Sequence, residues 1–398
     1  MLKRASSLSV VWIFLAAGLI LQLAWYGLLW SRMATQPDVS RPTDFSIFYT
    51  AGRIAASGHY NLVFNIQAQV EVQEKLLGFP LPTSDLLPFN HPPLLVPILQ
   101  LISTQDYMAS YWRWVFVMLC FVVATMMIIN QLLRTMQWDS GSRVLAILCS
   151  VLFYPIFVGL LKGQDTAFLL LGAMLWFYGV MTKKDAVAGL GLAMTVIRPQ
   201  IALVLAVPFL FNRRRIWWWF CGGAAVLGLY SLALVGFGGV RDFFALLKIS
   251  ANGQGFNMYQ NAMFNFTGMV LRLLPRANLD TVHIAAWGLL LAAVIGLSVW
   301  WKVSLGIRYR HIVLAVTLSL FAAPHLHYHD LALLLVPVIG LGIVLVTACR
   351  LKVRRAAALP MLVSVVWMFG EVWEPSRLTF TYLLMIGLSA LTWFYETH

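Results

Sequence analysis

The chain has 398 residues, of which 61% are hydrophobic and 11% charged, and its formal net charge is +13. Its mean hydropathy is +0.80. No soluble core of this length hides so much apolar surface, which excludes a water-soluble globular protein and puts the chain in a bilayer.

Taken in chain order, apolar spans are predicted near 8–31, 109–133, 143–161, 166–182, 216–236, 283–304, 311–324, 330–348, 357–373 and 378–396. Two shorter ones, 186–197 and 200–211, meet at Arg198-Pro199, where proline removes a donor and breaks the helix. The expected fold is an all-α polytopic membrane protein, a single integral membrane domain over 1–398 with about twelve crossings. The first span follows Lys3 and Arg4 but is too long for a signal-peptide core and lacks a small-residue cleavage site, so it reads as an anchor. Two long loops remain. Residues 32–108 carry Asp44, an amphipathic stretch around Ile66 to Leu77, and His91-Pro92-Pro93-Leu94-Leu95. Residues 237–282 carry Asn252 to Asn265 and then Met269 to Leu274. Both are too apolar and aromatic for disorder, so short helices lying in the membrane interface are expected there. The run 94–102 is expected to be re-entrant or interfacial, because a full crossing would invert every later loop.

Orientation follows from lysine and arginine. In this topology Lys3-Arg4, Arg134, Arg143, Lys183-Lys184, Arg213-Arg214-Arg215, Lys302, Arg308, Arg310 and the cluster Arg350 to Arg355 share the side of both termini. Acidic and basic residues on the other side cancel, so the whole formal charge lies on what is expected to be the cytoplasmic face. The high charge therefore argues for topology and against nucleic acid as a partner. Cys120, Cys149, Cys221 and Cys349 lie in or at the ends of spans without C-x-x-C spacing and read as small apolar residues.

Asp44 sits among Phe45, Phe48 and Tyr49 at an expected membrane boundary, the partly desolvated setting in which a carboxylate is tuned for base catalysis. Four polar clusters interrupt the span ends on the same side: Lys162-Gly163-Gln164-Asp165, Arg198-Pro199-Gln200, Tyr259-Gln260-Asn261, and His325-Leu326-His327-Tyr328-His329-Asp330. Ionisable groups near a bilayer are costly and are functional candidates by default; the bland alternative is a set of polar turns. Arg198 suits either the phosphate oxygens of a lipid-linked ligand or a structural pair with Asp165 or Asp330. The three histidines share a face only if their segment is extended. Phosphate or sugar contact, structural hydrogen bonding and a metal site are all open readings there, but no established zinc spacing is present and no metal ligand is assigned. Phosphate-binding glycine loops and a G-x-S-x-G elbow are absent, and the Gly159–Gly163 pair reads as close helix packing.

The run from Asp44 through Tyr49, Ala51, Gly52 and Arg53 to Gly58 and Tyr60 resembles the corresponding segment of bacterial GT-C glycosyltransferases in family eighty-seven. Further matches follow in order: His91-Pro92-Pro93-Leu94, Gly163-Gln164-Asp165, Arg198-Pro199-Gln200, Gln260-Asn261, and Ala323-Pro324 through Asp330-Leu331. Phe48 in place of a tyrosine, Asp165 in place of an amide and the altered last motif depart from the family pattern, so the sugar and acceptor are not carried across. The resemblance implies a GT-C-like bundle in the bacterial cell membrane that transfers a hexose (mannose-like) or pentose, with inversion, from a polyprenyl-phosphate donor. The acceptor would be a lipid or glycan on the extracytoplasmic face. Asp44 would be the general base. Tyr49, Arg53, His91, Gln164, Asp165, Arg198, Gln200, Asn261, His325, His327, His329 and Asp330 would bind substrate, with Arg198, His327 and His329 as candidates for the leaving phosphate and Arg53 able to pair with Asp44. No cofactor is implied beyond the lipid-linked sugar. A glycoside hydrolase would need a second placed carboxylate that is not evident. The competing reading is a transporter or flippase with an unwound midplane site at Arg198-Pro199, but its inverted repeat is not found. A scaffold without catalysis leaves the one-sided polar clusters unexplained.

Overall fold

The computed structural model describes residues 2–41, 43–251, 260–373 and 380–397, and all regular structure among them is helical. Five single helical stretches have the length and hydropathy of membrane spans: Tyr107–Thr135, Arg214–Ser250, Leu279–Val303, Tyr328–Thr347 and Val353–Gly370. A sixth arises if the bent pair Ser140–Val151 and Tyr154–Lys162 is one span. Among the described residues these five or six do not by themselves establish the expected count of about twelve crossings. Thr166–Met181 has 16 residues and Tyr309–Phe321 has 13, lengths of about 20–24 Å against a hydrocarbon core of about 30 Å. Asp185–Ile197 and Pro199–Leu210 are also short. Hydropathy shows that such segments are buried in apolar surroundings, not whether they reach both faces.

The short helices form the centre. Thr166–Met181 and Asp185–Met194 pack antiparallel, a Cβ on Gly172 falling 2.7 Å from the Gly191 carbonyl oxygen and one on Gly179 colliding with the Ala188 backbone. The chain thus leaves Asp165, turns at Lys183, and returns to Arg198. There a 3₁₀ turn (Thr195–Ile197) ends and Pro199 opens the helix Pro199–Ala206 in its first turn, where a missing N–H costs nothing. Loops at the far ends of these helices are tied together. Arg213 pairs with Asp185, Asn212 Nδ2 donates to the Trp301 carbonyl (2.9 Å), and the Glu396 carboxylate accepts from the Tyr309 and Arg310 amides (3.0 and 2.8 Å), capping the helix Tyr309–Phe321 from a distance.

The predicted loops carry the expected short helices, Ile66–Leu77 and Phe266–Leu273. Part of the second loop, 252–259, lies outside the described residues. The span predicted to stop at residue 236 does change course there: Gly236, at φ 69° and ψ 176°, interrupts a helix that otherwise runs Arg214–Ala251. Only glycine adopts that combination freely. The run 94–102 becomes the seven-residue helix Val96–Ile102, about 10 Å long and too short to cross. It lies against the helix Phe45–Ala56 at Gly52, where a Cβ would come 2.7 Å from the Leu99 carbonyl oxygen and closer still to Ser103 Oγ. Gly52→Ala should therefore push these helices apart and cost about 1–3 kcal/mol, read as a lowered thermal unfolding midpoint in detergent. Gly27→Ala, with open space around it, is the matched control and should not lower the midpoint.

Candidate active site

Asp44 is fixed from both sides. Just before it, Thr43 Oγ1 donates to the Ser40 carbonyl (2.8 Å) and lies 3.2 Å from the Tyr107 hydroxyl, which donates to the same carbonyl (3.0 Å). Just after it, the fully buried Phe45 packs on Tyr107 and Tyr111 and fills the space over Gly163. A Cβ on Gly163 would sit 2.6 Å from Phe45 Cβ, and its φ of +69° is the left-handed cap of the helix Tyr154–Lys162. Trp114 Nε1 and the Tyr111 hydroxyl hold this turn by donating to the Gly163 and Leu161 carbonyls, each at 2.8 Å. The Asp44 carboxylate itself stays 36% exposed, at the N-terminus of Phe45–Ala56.

Behind Asp44 lies a buried ionic cluster. Arg198 Nη2 donates to Asp165 Oδ1 (2.9 Å) and Nε to Asp330 Oδ1 (3.2 Å), with both carboxylates almost fully buried. Each carboxylate is backed by an imidazole: His91 Nδ1 lies 2.8 Å from Asp165 Oδ2, and His329 Nε2 lies 3.8 Å from Asp330 Oδ1. The other nitrogen of His329 is 3.9 Å from Asp44 Oδ2. His91 Nδ1 is also 2.9 Å from Arg198 Nη1, so its tautomer decides whether it donates to Asp165 or accepts from Arg198. The order His91, Asp165, Arg198, Asp330, His329, Asp44 is thus one continuous polar path drawn from five separate stretches of sequence.

This geometry revises the expectation for Arg198. Nε and Nη2 are spent on the two aspartates, and Nη1 on His91 and the Ile197 carbonyl (3.3 Å). Of the two alternatives the sequence left, structural pairing is the one observed, and it engages both aspartates. The expected Arg53–Asp44 pair is also absent among the described residues. Arg53 follows Asp44 by nine residues, about two and a half turns, and so leaves the opposite side of the helix. Tyr49 is buried and donates to the Thr104 carbonyl (3.0 Å), pinning that loop outside the cluster.

The histidines follow an extended-to-3₁₀ path. His327 is extended (φ −103°, ψ 169°) and opens the turn Tyr328–Leu334 that contains His329 and Asp330. Ring centroids of His325 and His327 are 4.6 Å apart, and those of His327 and His329 5.8 Å. Desolvation, reinforced by the neighbouring imidazoles, pushes His325 and His327 below the usual histidine range, so both are neutral at pH 7. Gln200 Nε2 donates to the His325 carbonyl (3.2 Å) and anchors the row. Gln164 is buried with its Oε1 unpartnered, beside the equally unpartnered Thr166 Oγ1. Asn261 lies in the short turn Gln260–Ala262; its side chain is outside the described residues. No group of three or more His, Cys, Asp or Glu among the described residues is arranged to hold a metal ion.

Sequence reasoning named all six members of the polar path but not the order that joins them. It missed Thr43, Tyr107, Tyr111 and Trp114, which hold the path in place and whose spacing is that of ordinary helix and loop aromatics. Removing Arg198 leaves two buried carboxylates without their counter-charge, a loss of about 3–5 kcal/mol. Arg198→Met should therefore unfold at a clearly lower temperature in detergent, and adding Asp165→Asn and Asp330→Asn should recover part of the loss. A single variant as stable as the wild type would contradict this reading of the cluster.

The family model for glycosyltransferase family 87 matches residues 89–324, more than half of the chain. No curated protein and no solved structure matches the chain. His91, Gln164, Asp165, Arg198, Gln200 and Asn261 fall within the matched residues, while Asp44 and the segment His325 to Asp330 flank them. An apolar, all-helical chain with several membrane spans and this match is a membrane glycosyltransferase, and it belongs to glycosyltransferase family 87.

Proposed function

We propose that the protein transfers a hexose, mannose-like, or a pentose from a polyprenyl-phosphate carrier to a lipid or glycan hydroxyl, with inversion, at the extracytoplasmic face of a bacterial cell membrane. The observation that carries this reading is the meeting of one accessible carboxylate, Asp44, with a row of imidazoles over a buried ionic cluster. Asp44 removes the acceptor proton as the acceptor oxygen bonds to the sugar C1, and the C1–O bond to phosphate breaks with its electron pair leaving on the phosphate. His325 and His327, neutral, offer N–H donors to that phosphate, the interaction that grows as charge develops on the leaving oxygen. Arg198 serves behind them as the counter-charge that holds the Asp165 and Asp330 carboxylates in place, and its contribution to the leaving group is indirect. The side of the membrane is argued from the basic clusters that gather with both termini. A donor already carried across on a lipid suits a site on the opposite face, where nucleotide sugars are not made.

The test is transfer of radiolabelled sugar from polyprenyl-phosphate mannose, then from other polyprenyl-phosphate sugars, into membrane lipid extract by purified protein. Loss of a general base lowers rates by about 10²–10⁴-fold, so Asp44→Asn should lose transfer by that factor while keeping the wild-type unfolding midpoint. Transfer by Asp44→Asn at the wild-type rate would remove Asp44 from the mechanism. Absence of transfer by the wild type from every donor, with substrate flux in proteoliposomes, would replace the enzyme by a transporter.

A further inference from the structure

A second buried polar group lies away from the path just described. Between Ser140–Val151 and Tyr154–Lys162 the helix bends by 45°. Phe153 is extended there (φ −60°, ψ 121°) and Pro155 follows in the first turn of the second helix, so the ladder cannot run through. The break frees the Leu152 carbonyl and the Tyr154 amide, groups that need internal partners in a membrane protein. Side chains from two distant helices supply them. Gln22 Nε2 donates to the Leu152 carbonyl (2.6 Å) and lies 3.0 Å from Ser364 Oγ. The Tyr26 hydroxyl donates to the same carbonyl (3.0 Å), and so does Ser364 Oγ (3.1 Å), while Ser364 Oγ accepts from the Tyr154 amide (2.8 Å). Gln22 and Ser364 are fully buried and Tyr26 nearly so.

The bend sits directly behind both carriers of the candidate site. Tyr26 stacks on Phe157 of the second half-helix, whose C-terminal cap is the Gly163 turn that presents Asp165. Tyr154 meets the ring of Tyr328 edge-on at 5.7 Å, and Trp367 touches both Phe153 (5.9 Å) and Tyr328 (5.8 Å). Tyr328 stands between His327 and His329. We propose that Gln22, Tyr26 and Ser364 are positioning residues: they lock the bend at Leu152–Tyr154 and thereby set where Asp165 and the histidine row stand. All three lie outside residues 89–324, so segments flanking the family match tune the rate of the reaction. The inference rests on the transferase reading above.

The experiment compares full-length wild type with Ser364→Ala, Ser364→Thr and Tyr26→Phe in lipid nanodiscs, measuring transfer kinetics and amide hydrogen exchange of peptides covering 150–162. Ser150→Ala, whose hydroxyl bonds only within its own helix, is the control. Ser364→Ala, which removes the hydroxyl that bonds Leu152, Tyr154 and Gln22, should raise exchange around the bend and lower kcat about five- to tenfold, with donor KM within about twofold. Ser364→Thr, which keeps the hydroxyl, should restore both. Tyr26→Phe, which keeps the stack on Phe157, should fall between them and serves if Ser364→Ala does not fold. Unchanged exchange at the bend overturns the bracket whatever the activity, and raised exchange with unchanged kcat overturns its positioning role. A wild type inactive with every donor defeats the transferase reading instead, and the exchange result still decides the bracket.

Discussion

The structure turns on one buried guanidinium. Arg198 lies between Asp165 and Asp330 in a region where an unpaired charge is intolerable, and the three side chains come from the start of one helix, a break between two others and a 3₁₀ turn. None of these charges is stable there without the others. Folding must therefore bring Gly163-Gln164-Asp165, the Arg198-Pro199 break and the histidine segment to one point, and everything attached to them is placed as a consequence. Two carboxylates stand against one guanidinium, and the imidazoles of His91 and His329 lie beside them, 2.8 Å from Asp165 and 3.8 Å from Asp330.

From that point outward, polarity grades into access. Asp165 and Asp330 are sealed, His329 is buried but reaches Asp44, and Asp44 alone of the carboxylates on the path is open to an incoming hydroxyl. The aromatic frame that fixes Asp44 also fixes the Gly163 turn, because Phe45 belongs to both. The accessible acid and the buried cluster consequently cannot shift independently. A rigid relation of this kind suits proton transfer, where a small displacement of the base is costly.

Much of this was legible in the sequence, for reasons that can be named. Charged residues in an apolar chain stand out, so Asp44, Asp165, Arg198, His329 and Asp330 were visible as candidates, and Pro199 marked the break where it occurs. Spacing could not show which charges meet. Arg198 alone allowed a phosphate fork or an ion pair, and only the tertiary contacts show that its Nε and Nη2 pair with two aspartates. Arg53 allowed a pair with Asp44 or a contact with phosphate, and helical rotation carries it away from Asp44. The helix lengths do not establish about twelve crossings, because hydropathy reports apolar surroundings, and a short helix wrapped in protein has them as fully as one wrapped in lipid. Gln22 was available as a lone amide in an apolar run, but its meaning depends on a bend 130 residues away.

The helix lengths carry one more step. The long outer helices, such as Arg214–Ala251 before its break, expose most of their surface, whereas Tyr328–Thr347 and the short Thr166–Met181 are largely enclosed. Short helices at the centre of longer ones carry their terminal charges inside the protein, and Asp165, Arg198 and Asp330 are all buried. Asp165 begins one such helix and Arg198 ends another. A charge at that depth in lipid would be prohibitive, and in bulk water it would lose the low dielectric that strengthens its contacts. Burial among protein side chains meets both conditions at once. Protein shields the cluster, while the side chain of its outermost member, Asp44, stays 36% exposed.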